Sequence, residues 1–444
     1  MTLKTTLHRW TLATALVAVS AATVAPSAFA DQGWTRYKHG SRGYYSGGYR
    51  NNWATAAEFR VPIVSTLTAD GSVRYDQYGN QNVGGGDDKV TYKVGLEFRP
   101  TDAFLFRGNY ATAFRAPDMA YTFGGQSGFF QPGITDYYRC AKLEPDTPLP
   151  ECDYYANQDP FALHQGTGTL KSITAKSYGL GGVWSPTADF NVKLDYYNIK
   201  IKNEVQLQSI DALLKTESAC RLGQLDITSP TCVTAINQVD RNGPGGAQGY
   251  ALNSVFVYPV NVANEKVSGI LASLDYRYDL GRWGTLGLNA KYNVTLKHKA
   301  QIYPEDPEVD LLRQPDQPPY STEFKSIGSA SLSWDIDRFS TTLYGTRYGK
   351  TPNAAASTYG YGSDLGGFRQ AGVLPPHMVY NGSVTYNLTD DMKISGIVNN
   401  IMDSGPPRDM TYTTYPYYNF TNYSVYGRSY WVEFDWRFGR GASD

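Results

Sequence analysis

Thr285–His298 reads TLGLNAKYNVTLKH. Leu286, Leu288, Ala290, Tyr292, Val294 and Leu296 fall on one side, and Gly287, Asn289, Lys291, Asn293, Thr295 and Lys297 on the other. Period two is the geometry of an extended strand. The pattern recurs along the chain. Tyr92, Val94, Leu96 and Phe98 oppose Lys93, Glu97 and Arg99; Phe104, Phe106 and Tyr110 oppose Arg107 and Asn109. Phe190, Val192, Leu194 and Tyr196 oppose Asn191, Lys193 and Asp195, and Ile270, Ala272, Leu274 and Tyr276 oppose Ser273, Asp275 and Arg277. Near the end, Tyr430, Val432, Phe434, Trp436 and Phe438 oppose Glu433, Asp435 and Arg437. Many strands, each with one greasy and one polar face, combined with a mean hydropathy of -0.42 and 36 tyrosines, suit a closed barrel in lipid. Lipid satisfies one face, a lumen the other, and closure pairs every backbone group.

The expected fold is therefore all-β: a transmembrane antiparallel β-barrel of about 14 strands. Thirteen crossing segments are predicted, at 53–61, 66–78, 89–99, 102–113, 172–185, 188–202, 266–279, 284–298, 322–336, 339–349, 376–388, 392–401 and 427–438. Single-chain bacterial barrels take an even number, so 34–46 and 251–258 are the two candidates for a fourteenth. Parity places 251–258 in a loop. Short turns such as Arg99-Pro100-Thr101-Asp102 and Ser185-Pro186-Thr187-Ala188-Asp189 alternate with long connections at 79–89, 114–171, 203–265, 299–321, 350–375 and 403–426. All tight turns then lie at one end and all long loops at the other, as in outer-membrane barrels.

Lys4, His8 and Arg9, an apolar stretch from Leu12 to Val24, and Ala28-Phe29-Ala30 form a secretory signal pattern with cleavage expected after Ala30. The expected organisation is a signal peptide at 1–30, a short segment without a plug at 31–52, the barrel at 53–438 and a polar tail at 439–444. Lys+Arg 40 against Asp+Glu 41 leaves no basic excess for nucleic acid. Cys140/Cys152 and Cys220/Cys232 are each twelve positions apart in long loops, so two local disulfides are the natural reading, although three pairings are formally possible. No histidine sits at zinc-ligand spacing from either pair, and no metal or other cofactor is expected. Asp87-Asp88 and Glu305, Asp306, Glu308 and Asp310 lack the spacing of a calcium loop. Ser127, Ser218, Ser229 and His164 form no enzyme signature.

Several motifs resemble the TonB-dependent outer-membrane receptors. Ala113-Phe114-Arg115-Ala116-Pro117-Asp118 is similar to their "FRAP" segment, and Asp195-Tyr196-Tyr197-Asn198-Ile199-Lys200 to a "DYYxIxI" strand. Gly168-Thr169-Leu170-Lys171 through Trp184-Ser185-Pro186, Glu265-Lys266-Val267-Ser268-Gly269, Val398-Asn399-Asn400-Ile401-Met402-Asp403 with Pro406-Pro407, and Tyr426-Gly427-Arg428-Ser429-Tyr430 follow in the family order. The resemblance implies a receptor that takes up a siderophore, a cobalamin-like compound or an oligosaccharide. Such receptors have about 22 strands around a plug. This sequence departs from them at Lys171-Ser172-Ile173, in having no plug or coupling box between Ala30 and Trp53, and in the tail after Phe438. Coupling to TonB is therefore not carried over.

The expected ligand groups are loop aromatics: Tyr121, Phe123, Phe129, Phe130, Tyr137, Tyr138, Tyr154 and Tyr155 in one loop, and Tyr412, Tyr415, Tyr417 and Tyr418 in another. The competing assignment is packing of the loops over the barrel mouth, or membership of the outer aromatic girdle. Arg107, Lys193, Asp195, Asp275, Arg277 and Lys291 are expected to face the lumen. Expected partners are outer-membrane lipid, the barrel-assembly machinery and a small-molecule or oligosaccharide ligand. A non-transporting surface protein and an incomplete receptor fragment are the alternatives.

Overall fold

The strand quoted above extends over Thr285–Gln301 and is the eighth of thirteen long antiparallel strands that pair strictly in sequence order. The computed structural model describes residues 34–37, 44–80, 85–246, 248–302, 307–313, 323–353, 372–409 and 415–438; the expected signal segment, the polar tail and Tyr412 lie outside these. The strands are β1 (Arg50–Val64), β2 (Leu67–Asn80), β3 (Gly86–Thr101), β4 (Phe104–Arg115), β5 (Ile173–Thr187), β6 (Phe190–Leu207) and β7 (Pro259–Asp279). They continue as β8 (Thr285–Gln301), β9 (Ser326–Ile336), β10 (Phe339–Tyr348), β11 (His377–Thr389), β12 (Met392–Asn399) and β13 (Ser429–Trp436). Each falls on one of the thirteen expected segments. The sheet reaches fourteen strands only through Val309–Asp310, which pairs with Lys299 and Ala300.

Neither candidate for an extra long strand joins this sheet. In 34–46, Trp34–Tyr37 and Tyr44–Gly47 pair with each other as a separate ribbon. Within 251–258, Leu252–Val257 belongs to a small loop sheet, as parity required. Among the described residues, β1 and β13 each pair on one side only.

Register keeps the two faces distinct. Leu180, Tyr196, Ile270 and Val294 form one cross-strand row, and Gly182, Leu194, Ala272 and Tyr292 the next. Among the described residues no second layer covers this apolar side: Val94 is 52% exposed, Leu180 62% and Leu194 54%. A continuous apolar surface over thirteen strands far exceeds the few hundred Å² that water-soluble proteins show. Aromatic rings chain along its short-turn edge, with Phe104–Trp184 at 6.1 Å, Trp184–Phe190 at 5.3 Å and Phe190–Tyr276 at 5.7 Å. Tyr92–Tyr110 (6.0 Å) and Tyr178–Tyr196 (6.1 Å) mark the other edge.

The opposite face carries ion pairs: Arg60–Glu97 at 2.7 Å, Lys93–Asp70 at 3.2 Å, Arg74–Asp76 at 2.7 Å and Arg107–Asp195 at 2.8 Å. All are at least partly open to solvent, so each is worth under about 1 kcal/mol. They make the face hydrophilic more than they stabilise it.

Among several register shifts, one changes the facing of a residue singled out above. Thr295 pairs with Gly269 but Lys297 pairs with Ser268, so Leu296 is an inserted residue, a β-bulge. Lys297, expected on the polar side, thereby joins the row of Ser268 on the apolar side.

Candidate functional site

The two longest described connections, between β4 and β5 and between β6 and β7, fold together at the long-loop end. The first contains α1 (Met119–Phe123) and α2 (Tyr137–Leu143); the second contains α3 (Ile210–Arg221) and α4 (Pro230–Asn237). Ser209 caps α3 by accepting from the Ala212 N–H at 3.2 Å, and Ser229 caps α4 at Cys232, with Pro230 at the first turn. Ile210, Leu213 and Leu214 give α3 one apolar stripe. That stripe packs with Ala235 against Ala162, Val239, Val255 and Val257 of a sheet ordered Val239–Arg241, Leu252–Val257, Phe161–His164, Ser127–Phe130. Disulfides Cys140–Cys152 and Cys220–Cys232 close both loops.

Arg241 ties the two connections together. Its Nη1 donates to Asp136 Oδ2 at 2.8 Å, and its Nε and Nη2 donate to Glu217 at 2.7 and 2.8 Å; all three side chains are 3% exposed or less. Burial alone would lower the Arg241 guanidinium, but the Glu217 and Asp136 hydrogen bonds override it and raise it above its ordinary value.

Four of the twelve expected ligand aromatics, Phe129, Tyr137, Tyr138 and Tyr154, serve this packing. Phe123 and Tyr138 are buried. Tyr138 lies edge-on to Tyr250 and beneath Arg241, Phe129 and Tyr137 pack against the module core, and the Tyr137 hydroxyl donates to Asp211 at 2.7 Å. The Arg139 guanidinium sits 3.8 Å from the Tyr154 ring centre, and Tyr121 is half-buried. Phe130, Tyr155, Tyr415 and Tyr417 are exposed, and Tyr418 is half-buried against Tyr423. Arg107, Lys193, Asp195, Asp275, Arg277 and Lys291 all occupy polar-face positions in the register. Arg107 reaches both Asp195 oxygens at 2.8 Å, and Asn289 donates to Asp275.

A cavity of about 630 Å³ opens on the polar side of β1–β4 near the long-loop end, within the size range of small-molecule sites. Arg50, Asn52, Arg74, Asp76, Tyr78 and Phe114 line it, with Asp118 at its rim. Arg74 forks onto both Asp76 oxygens at 2.7 Å, Arg50 lies over the Tyr78 ring at 5.1 Å, and Arg115 holds Asp118 at 2.5 Å. Sequence inspection missed this site because its residues come from four strands, and only pairing register brings them together. Elsewhere Ser127 Oγ lies 2.9 Å from His164 Nε2, but among the described residues no acid or other hydrogen-bond partner meets the buried His164 Nδ1 to orient the ring for nucleophilic chemistry.

A family model described as "TonB dependent receptor-like, beta-barrel" matches residues 6–401. Among solved structures, the siderophore receptor PirA from Acinetobacter baumannii is similar at TM-score 0.58 and 15% identity, over 90% of this chain and 47% of that one. A ferric enterobactin receptor mutant from Pseudomonas aeruginosa gives 0.56 and 15%, over 89% and 46%. The FrpB iron transporter from Neisseria meningitidis gives 0.53 and 13%, over 89% and 46%. The chain spans about half the length of these structures, which are receptors or transporters and not enzymes. No curated protein sequence matches it significantly. With the family match running through most of the thirteen-strand sheet, this chain belongs to the TonB-dependent receptor-like β-barrel family.

Proposed function

We propose that the chain is the barrel of an outer-membrane nutrient receptor in a Gram-negative cell. The observation that carries this is the two-faced sheet: half-exposed apolar side chains on one side, solvent-open ion pairs on the other. In this reading the thirteen long strands cross the lipid and residues 1–30 direct export. The barrel-assembly machinery inserts the chain, and Arg107, Lys193, Asp195, Asp275, Arg277 and Lys291 line a lumen. The disulfide-closed module stands outside, over the mouth.

The ligand enters the cavity beside Tyr78. Its arginines and aspartates nearly balance, and its aromatic rings adjoin several hydrogen-bonding groups. That lining suits a hydroxyl-rich, uncharged ligand such as an oligosaccharide better than a highly charged iron chelate. Exposed Phe130, Tyr155, Tyr415 and Tyr417 supply the first contacts. Titration of the refolded protein with maltohexaose and, separately, with ferric enterobactin tests this. Saturable oligosaccharide binding is expected, and Arg74→Gln or Phe114→Ala should each lower it about tenfold, as loss of a charge-assisted hydrogen bond or a ring contact would. Saturable binding of the chelate alone would move the ligand class to siderophores. Binding of neither would remove the receptor reading.

The one-sided pairing of β1 and β13 favours a second reading, in which further strands complete the barrel. Steady single-channel conductance of the chain alone would exclude it.

A further inference from the structure

Four lysines stand in one unbroken cross-strand row: Lys176 of β5 opposite Lys200 of β6, Lys200 opposite Lys266 of β7, and Lys266 opposite Lys299 of β8. Lys176 has the parity of Tyr178 and Leu180, and Lys200 that of Tyr196, so the row belongs to the apolar face. Lys202 is two positions above Lys200, and the bulge at Leu296 turns Lys297 onto the same side. Neighbouring strands lie about 4.8 Å apart, so four like charges crowd within about 15 Å. Like charges directly opposite one another destabilise a sheet unless something neutralises them.

Among the described residues, two carboxylates approach the row. Glu308 accepts from Lys266 and, at 3.0 Å, from Lys299, and these two ammonium groups hold its carboxyl down at about 2. Asp310, opposite Lys299, is also engaged by Arg313 at 3.7 Å. Lys176, Lys200, Lys202 and Lys297 make no ion pair among the described residues.

Height along the strand identifies the counter-charge. Lys176 is eight residues above Trp184 of the short-turn aromatic edge. That is about 26 Å along the strand, or about 20 Å along the membrane normal at a 40° tilt, against an apolar band about 25 Å tall. The ammonium groups therefore extend to headgroup level, just above the Tyr178–Tyr196 ring pair, at the end that carries the long loops.

We propose that the outward face of β5–β8 is a binding site for a phosphorylated lipid headgroup of the outer leaflet, gripped by Lys176, Lys200, Lys266 and Lys299. The proposal rests on the membrane reading above. Two phosphates on one headgroup would bridge lysines of adjacent strands, offset their mutual repulsion and fasten four strands together.

The test compares bis-phosphorylated lipid A with dephosphorylated lipid A, each binding to the full chain inserted in phosphatidylcholine vesicles. At least tenfold tighter binding of the phosphorylated lipid is expected, undisturbed by millimolar inorganic phosphate. Joint Lys176→Gln, Lys200→Gln, Lys266→Gln and Lys299→Gln substitution should abolish the preference, and arginine at the same four positions should keep it. Equal binding of the two lipids by the unaltered protein overturns the proposal without recourse to any variant. So does displacement by inorganic phosphate, or a preference that survives the glutamine substitutions. Protein that inserts but shows no phosphate preference loses this site alone; protein that does not insert loses the membrane reading as well.

Discussion

Leu180→Arg is expected to destabilise the inserted protein by about 2–4 kcal/mol, the cost of an arginine near the middle of the hydrocarbon on a lipid-facing strand position. Leu180 is midway between Trp184 and Lys176 on β5, points to the apolar side and is 62% exposed. On a water-soluble sheet so exposed a position would tolerate arginine within about 0.5 kcal/mol. The size of the effect therefore turns on which solvent touches Leu180. Ser177→Arg, three residues away on the polar face, is the control and should change stability by less than about 1 kcal/mol. Urea titration in lipid vesicles, followed by tryptophan fluorescence, measures both.

Arg241→Ala is expected to cost the loop module about 3–5 kcal/mol, because it takes the counter-charge from buried Asp136 and leaves buried Glu217 with Arg221 alone. The contrast with Arg107→Ala is instructive. Arg107 makes an equally short pair with Asp195, but both groups are open to solvent, and the loss should stay under about 1 kcal/mol. Limited proteolysis of the module, at equal total stability of the barrel, reports the first effect. Rapid cleavage in Arg241→Ala and slow cleavage in Arg107→Ala is the expected pattern; equal rates would mean that the ion triad does not hold the two connections together.

The strands were legible because alternation is local: Leu286 through Val294 declares its face without knowledge of any partner. The disulfides were legible for the same reason, since each pair closes a short stretch of its own loop. The bulge at Leu296 was not, because only the register against Gly269 and Ser268 reveals the extra residue. Helices α3 and α4 left a signal that a search for period two passes over: Ser209 ahead of Ile210, Leu213 and Leu214, then Ser229-Pro230. Arg241 left none. It stands next to a glycine-rich turn, and its partners are 24 and 105 positions away. The roles of the loop aromatics were not legible, because composition does not distinguish a ring offered to a ligand from one, such as Tyr138, enclosed between Tyr250 and Arg241.

The decisive measurement is a nitroxide scan of β8. Single labels at positions 285 to 294 in the vesicle-inserted protein would be tested for collision with dissolved oxygen and with a water-soluble nickel chelate. Hydrocarbon against the apolar side predicts period two, with oxygen favoured at Leu286, Leu288, Ala290, Tyr292 and Val294 and nickel favoured at the residues between. Nickel access at all ten positions, without alternation, would contradict it.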